Sequence, residues 1–452
     1  MTVLPDYTYQ IITVIAFACF LLINEKSFVY LVLIFIYLLP RAGLDICFQV
    51  TFSEAKPMPY GFIMMGFLIV GWFLKNIRSP KNLRHPYKPG IAFFLYSIYA
   101  IMALLMGLSH YGQLHVIILE FVIYYVSLFV YFATVDMDIK KSGVKLFING
   151  FILVSLLVSV YGIILRFAGP RFLIDGITFN DGGTIGQKDF FHFPIEWQLI
   201  TARRTLSTYG DPNCLAAQIV VFIAIITALI VKEEKTPLHR KFYLFVCLIT
   251  NFVCLYFTES RSGLISVLIV FILFALLGLR GFFFVSILAV GGFAFFSQTI
   301  AGFLKVHRLG RFGLTSPAAM LFQPSVFWRF ISQYPLGAGF GGHINPDLTI
   351  RSTIHAFDGY NSTHLHILTK IGIFGFLVLI ALFYGMFRHF IMNFNKIENT
   401  TVKAFVLGGT VGLIVQQLCF AINNLFMLPG GAFNYLIMCG IVALAISYFK
   451  NS

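Results

Sequence analysis

Residues 213–231 read Asn213-Cys-Leu-Ala-Ala-Gln-Ile-Val-Val-Phe-Ile-Ala-Ile-Ile-Thr-Ala-Leu-Ile-Val231, without one charged side chain. Asp211-Pro212 precedes the run and Lys232-Glu233-Glu234-Lys235 follows it. A helix of about 20 apolar residues crosses a hydrocarbon core of about 30 Å, and this stretch has that length. Comparable runs recur along the chain. They predict helices over residues 9–24, 28–44, 60–75, 90–109, 113–135, 145–167, 213–231, 242–258, 262–279, 281–298, 363–387, 404–425 and 432–449. The expected fold is therefore all-α: a polytopic transmembrane bundle of about 12–14 helices. We expect residues 1–452 to form a single integral-membrane domain. Because the runs are continuous rather than alternating, a transmembrane β-barrel is excluded.

Composition agrees. Of 452 residues, 59% are hydrophobic and 11% charged, against about 45–50% and about 25% in soluble domains. The mean hydropathy of +0.87 excludes a soluble enzyme and a disordered chain. A net charge of +14 would suit nucleic acid, but the basic residues sit in short loops between apolar runs. That distribution is topological, because cytoplasmic loops collect Lys and Arg. No nucleic-acid partner is expected; the bilayer is. The seven cysteines (19, 47, 214, 247, 254, 419 and 439) lie in or beside apolar runs and form no CxxC pair. They read as buried thiols. The segment before the first run has no basic residue, so no cleavable signal peptide is expected.

The loops give an orientation. Lys75–Lys88 carries five Lys and Arg with no acid, and Lys232–Lys241 carries four. Asp136–Lys145 and Arg388–Lys403 carry three each. All four share one side if the helices alternate, and by the positive-inside rule that side is the cytoplasm. Two segments on the opposite side, 168–212 and 299–362, are too long for turns and contain aromatics and Gly-Pro punctuation. Long loops of this kind are usually functional. We expect both to fold over the outer, periplasmic mouth of the bundle.

Sorting the 32 basic residues by side leaves 18 in the cytoplasmic set, 13 Lys and 5 Arg. The other 14 are 10 Arg (41, 166, 171, 203, 204, 261, 308, 311, 329 and 351) and 4 Lys (56, 188, 305 and 370). Arg is favoured over Lys where a planar fork must grip phosphate or carboxylate. An Arg-rich outer face therefore points to an anionic headgroup such as a lipid pyrophosphate. The bland alternative is pairing with local acids or anchoring in the headgroup layer.

Three segments in this outer set resemble the bacterial O-antigen polymerase/ligase superfamily, which contains Wzy-type polysaccharide polymerases and lipopolysaccharide O-antigen ligases. The first is Arg204-Thr-Leu-Ser-Thr-Tyr-Gly-Asp211-Pro212-Asn213, where Asp211 or Asn213 can cap a helix and Pro212 suits its first turn. The second is Thr258-Glu259-Ser260-Arg261-Ser262-Gly263, between two apolar runs. In the third, Arg329 leads to Pro335-Leu-Gly337-Ala-Gly339-Phe-Gly341-Gly342-His343, then Tyr360-Asn361-Ser362-Thr-His364-Leu-His366 and Gly372-Ile-Phe-Gly375. The ligase branch places a His eleven residues before the first Gly of Gly-x-x-Gly. Here that position is Asn361, which favours the polymerase branch and leaves the ligase as the alternative.

The resemblance implies a glycosyltransferase of surface-polysaccharide and lipopolysaccharide biosynthesis in the bacterial inner membrane, with its active site facing the periplasm. It would join oligosaccharide repeats carried on undecaprenyl pyrophosphate, with a flippase and a chain-length regulator as partners. On this reading Arg204, Arg261 and Arg329 bind pyrophosphate. Asp211, Asn213, Tyr360, Asn361, His343 and His366 contribute to the glycan site. No metal or other cofactor is expected, because the outer loops hold Asp181, Asp189, Asp347 and Asp358 but no Asp-x-Asp pair. His364 is the first choice of base for an inverting displacement, with Glu196 and Glu259 as alternatives. His364 and His366 point about 200° apart on a helix, so only one can face a given site. A lipid-linked sugar transporter is a further alternative. Transporters usually place ionisable groups at the midplane, and Glu120 is the residue clearly deep within an apolar run. A structural scaffold would not need two long arginine-bearing loops. The topology is testable by labelling: a cysteine at Thr349 should react with an impermeant maleimide in intact spheroplasts, and one at Asn82 should not.

Overall fold

A computed structural model describes residues 69, 73, 90–111, 114–129, 141–168, 205, 207, 212–232, 237–277, 328, 331–344, 350–352 and 363–422. In chain order the helices are α1 (Gly90–His110), α2 (Leu114–Tyr124), α3 (Lys141–Ala168), α4 (Pro212–Lys232), α5 (Leu238–Thr258), α6 (Arg261–Leu276), α7 (Thr363–Asn393) and α8 (Thr400–Ile422). Among the described residues, five helical spans are long and apolar enough to cross a membrane: Gly90–His110, Gly143–Phe167, Pro212–Lys232, Leu238–Thr258 and His366–Gly385. The helices expected at 9–24, 28–44, 281–298 and 432–449 lie outside the described residues, and 60–75 does so apart from Ile69 and Phe73.

One expectation is corrected and one refined. The continuous helix over 113–135 instead breaks after Tyr124 into a 3-10 turn at Val126–Leu128. Tyr124 at that break gives its carbonyl to the Tyr96 hydroxyl at 2.9 Å, a partner outside its own helix. The fold is also not purely α. Strands β1 (Gly342–Ile344) and β2 (Ile350–Ser352) pair antiparallel within the second outer segment, with His343 opposite Arg351.

Helix α4 is the axis of the bundle. Its sequence is apolar all round, which has no stable place except inside, and 89% of its span is buried against 22% for α1. The difference separates a central helix from a peripheral one. The exposed face of α1 is correspondingly apolar, with Ile91, Phe94 and Leu105, and α5 presents Phe242 and Tyr256. Such contiguous apolar faces suit lipid rather than water.

Small residues let the backbones approach. On α8, Ala404, Gly408, Gly412 and Gln416 recur every fourth residue and form a ridge against α4. A Cβ added at Gly408 would stand 2.5 Å from Ile225 Cα and 2.6 Å from the Ala224 carbonyl oxygen. Below these glycines along the same ridge, Gln416 donates to the Ala217 carbonyl at 3.3 Å. Polar side chains join α3 to α5 similarly, with Ser159 donating to Asn251 Oδ1 at 3.0 Å. Gly408→Ala should therefore destabilise the bundle by about 1–3 kcal/mol through overpacking. Gly412→Ala, whose nearest contact is 3.0 Å, should cost less, and Gly385→Ala, with nothing within 4 Å, should match wild type. Thermal unfolding in detergent would check the ranking.

Candidate functional site

The segment Pro335–Gly342 hooks into the bundle, and its glycines explain how. Gly337, Gly339 and Gly341 have φ of 81°, 83° and 77°, in the left-handed region that side chains disfavour. Alternating them with ordinary residues coils the backbone so that successive amides point into the helices. Ala338 N donates to the Thr369 carbonyl at 2.7 Å, Gly339 N to that of Lys370 at 3.1 Å, and Phe340 N to that of Ala103 at 2.9 Å.

Helix α7 can accept these bonds because it is broken. Gly372, at φ 71° and ψ 179°, departs from helical geometry. In an uninterrupted helix Ile373 N would bond to the Thr369 carbonyl. Here Ile373 N donates to the Pro335 carbonyl at 3.1 Å, and the hook satisfies Thr369 instead. Both groups of that displaced bond thus find partners, as buried backbone must. A Cβ at Gly372 would lie 2.2 Å from the Pro335 oxygen.

Beneath the hook lies a cluster of buried ionisable groups. Glu120 on α2 and both His366 and Lys370 on α7 are 0% exposed. Lys370 Nζ is 2.9 Å from Glu120 Oε1, and it also donates to the Gly342 carbonyl. Gly341 N donates to Glu120 Oε2 at 2.7 Å. His366 Nε2 stands 3.7 Å from Glu120 Oε1, with the Tyr124 ring 5.9 Å from its own. Phe340 stacks on Tyr124 at 6.0 Å and 7°. Tyr111 donates to the Ala338 carbonyl at 3.0 Å. Burial, with Tyr334 nearby, raises the Tyr111 phenol above its ordinary range and keeps it a donor. The sequence reading singled out Glu120 alone as deep and assigned Lys370 to the outer set. In the structure the two are partners, and their helices bring them to one depth, about 10 Å from each helix start.

A second polar cluster gathers where α4, α5 and α6 meet. Thr205 N donates to the Phe257 carbonyl at 3.0 Å, its hydroxyl donates to the Gly162 carbonyl, and Ser207 bonds the Val158 carbonyl at 2.6 Å. Glu259 turns the chain between α5 and α6 with a φ of 52°. Its carboxylate lies 3.7 Å from Arg166 Nη2. Ser260 caps α6 by accepting from Gly263 N at 3.4 Å and donates to Asn213 Oδ1 at 3.1 Å. Pro212 occupies the first turn of α4 as expected, and Asn213 follows it inside the helix. His364 bonds Gln417 on α8 at 3.2 Å, whereas His366 faces Glu120, so the two histidines serve different neighbours. Ser266 and Cys419, 3.0 Å apart, tie α6 to the same stretch of α8.

Among the expected site residues, Glu196, Arg204, Asp211, Arg329, Tyr360 and Asn361 lie outside the described residues. Arg261 opens α6 and His343 lies in β1, but their side chains are outside the described set. His364, His366, Asn213 and Glu259 are described and lie at the same end of the bundle as the hook, Thr205 and Ser207. Among the described residues, no group of three or more His, Cys, Asp or Glu could hold a metal ion. The sequence signal for the buried cluster was present, in the form of two opposite charges within separate apolar runs. Nothing in the sequence announced that they were neighbours. No protein-family model, curated protein or solved structure matches this chain.

The two carboxylates differ in what they hold. Glu120→Ala would strand the buried Lys370 charge, at a cost of about 3–5 kcal/mol. Glu259→Ala would break a partly exposed pair worth about 0–1 kcal/mol. Thermal unfolding of the two variants should separate them clearly.

Proposed function

We propose that this protein is a surface-polysaccharide polymerase of the bacterial inner membrane. It would transfer a growing glycan from its undecaprenyl-pyrophosphate carrier to the terminal sugar of a new lipid-linked repeat, at the periplasmic face. The observation that carries this reading is the interlock of Pro335–Gly342 with Gly372. These are two pieces of the third segment that resembles the O-antigen polymerase/ligase superfamily. A second support is that Thr205 and Ser260, from the first and second segments, also gather at that end of the bundle.

The chemistry follows from residue types. The bond from the anomeric carbon to the carrier pyrophosphate breaks as an acceptor hydroxyl attacks from the opposite face. Arg204, Arg261 and Arg329 would hold the departing pyrophosphate through charge-assisted contacts. His364 would take the hydroxyl proton, with Glu259 or Glu196 in its place if His364 is dispensable. The ligase reading differs only in the acceptor, lipid A-core instead of a lipid-linked repeat. One observation favours the transporter reading: Glu120 is not alone in the apolar interior, since Lys370 and His366 join it. The Gly341 and Gly342 backbone bonds give that pair an anchoring role as well.

Glycan length in a deletion strain separates these readings. Polymerase predicts loss of long chains with a single repeat still attached; ligase predicts no attached repeat; a transporter predicts repeats trapped inside. Returning the gene with Arg204, Arg261 or Arg329 changed to Lys should leave chains short, because Lys keeps the charge but loses the planar fork. Restoration of full length by Lys at all three positions would overturn the bidentate assignment.

A further inference from the structure

The hook and the buried ion pair meet at one dipeptide, Gly341–Gly342, and their polarities match. Glu120 accepts from the N–H of Gly341, whereas Lys370 donates to the carbonyl of Gly342. An anion therefore faces the backbone donor and a cation the backbone acceptor. A buried pair gains nothing in Coulomb energy from being arranged this way round rather than the reverse. The hydrogen bonds do depend on the order, because a carboxylate only accepts and an ammonium only donates. All four groups are closed off from water, so no solvent can replace a lost bond: Gly341 and Gly342 are buried, and both side chains are 0% exposed.

We propose that Glu120 and Lys370 are positioning residues that latch Gly341–Gly342 by reading its backbone polarity. The latch fixes the start of β1 on the bundle, and with it the path from Ile331 through the hook to Gly342. Tyr111 and Phe340 flank the latch, the first bonding the Ala338 carbonyl and the second stacked on Tyr124. Steric fit tightens it further, since a Cβ at Gly341 would reach 2.6 Å from Ile117 and one at Gly342 2.6 Å from the Tyr111 oxygen. The consequence for glycan synthesis rests on the polymerase reading, whereas the docking of the hook does not.

The discriminating variant is the exchange Glu120→Lys with Lys370→Glu, which keeps two opposite charges but inverts their order. Full-length protein in lipid nanodiscs would be followed by hydrogen–deuterium exchange of the 335–343 peptide, with the 212–232 peptide of α4 as the fold control. We expect protection of 335–343 to fall at least tenfold in the exchanged protein while α4 stays protected. Lys370→Arg, which preserves a donor toward Gly342, should retain protection and long glycans. Undiminished protection of 335–343 in the exchanged protein would overturn the latch. If the exchange unfolds α4, the double variant Glu120→Met with Lys370→Met decides. It removes both charges together, a change that buried pairs often tolerate. Selective loss at 335–343 in that variant supports the latch, and loss throughout overturns it in favour of a general core role. A hook released with glycan length unchanged would leave the latch standing and count against the polymerase reading.

Discussion

A carboxylate inside an apolar helical bundle is tolerable only with a cation beside it and donors on its remaining lone pairs. Glu120 has Lys370 on one oxygen and the Gly341 amide on the other. That requirement reaches across the chain, because it obliges α2, α7 and the Pro335–Gly342 hook to meet at one point. The break in α7 at Gly372 belongs to the same arrangement. Without it, the Thr369 carbonyl would be taken by its own helix and the hook would lose an acceptor. Charge pairing and backbone accounting are thus satisfied by one local geometry.

The rest of the bundle is organised by shape rather than charge. Helix α4 is enclosed, and α8 reaches it through Gly408, where a Cβ would collide with Ala224 and Ile225, and through Gly412, which faces Val221 and Ala224. In lipid the hydrophobic effect does not drive one helix against another, so close backbone contact and interhelical hydrogen bonds carry the association. The bonds from Gln416 to Ala217, and between Ser159 and Asn251, are of this kind. They lie in helix interfaces rather than on the faces that carry Phe94 or Phe242.

The helices were legible in the sequence for a simple reason: a membrane-length apolar run is long enough to average out local exceptions. The predicted stretches at 90–109, 213–231 and 242–258 match α1, α4 and α5 closely. The hook was not legible, since Gly-x-Gly-x-Gly reads only as loop until its acceptors are known. The β1–β2 pair escaped because three-residue strands leave too little alternation to see. The burial of Lys370 was hidden for a different cause. Seven residues from the start of its helix, it looks like an interfacial lysine, and only the position of Glu120 on α2 draws it inward. The opposed directions of His364 and His366, in contrast, follow directly from helical periodicity.

Apart from the Lys370 side chain on Gly342, the hook's bonds to α1 and α7 run from main chain to main chain, which separates spelling from spacing. Leu336 is exposed, and the bonds of Ala338 to α7 and of Phe340 to α1 run through their amides, so those bonds themselves do not depend on which side chains the residues carry. The interval between glycines is another matter, since Gly337 and Gly339 must fall against the Lys370 and Ala103 carbonyls and Gly341 against Ile117. Deleting Leu336 would carry Ala338 and Phe340 into the places of Gly337 and Gly339, where a Cβ would lie 2.6 Å and 2.9 Å from backbone atoms. The exposed Leu336 would therefore be free to vary across lineages, whereas insertions and deletions within the hook would not be tolerated. The spacing of its glycines is the trait that inheritance must preserve.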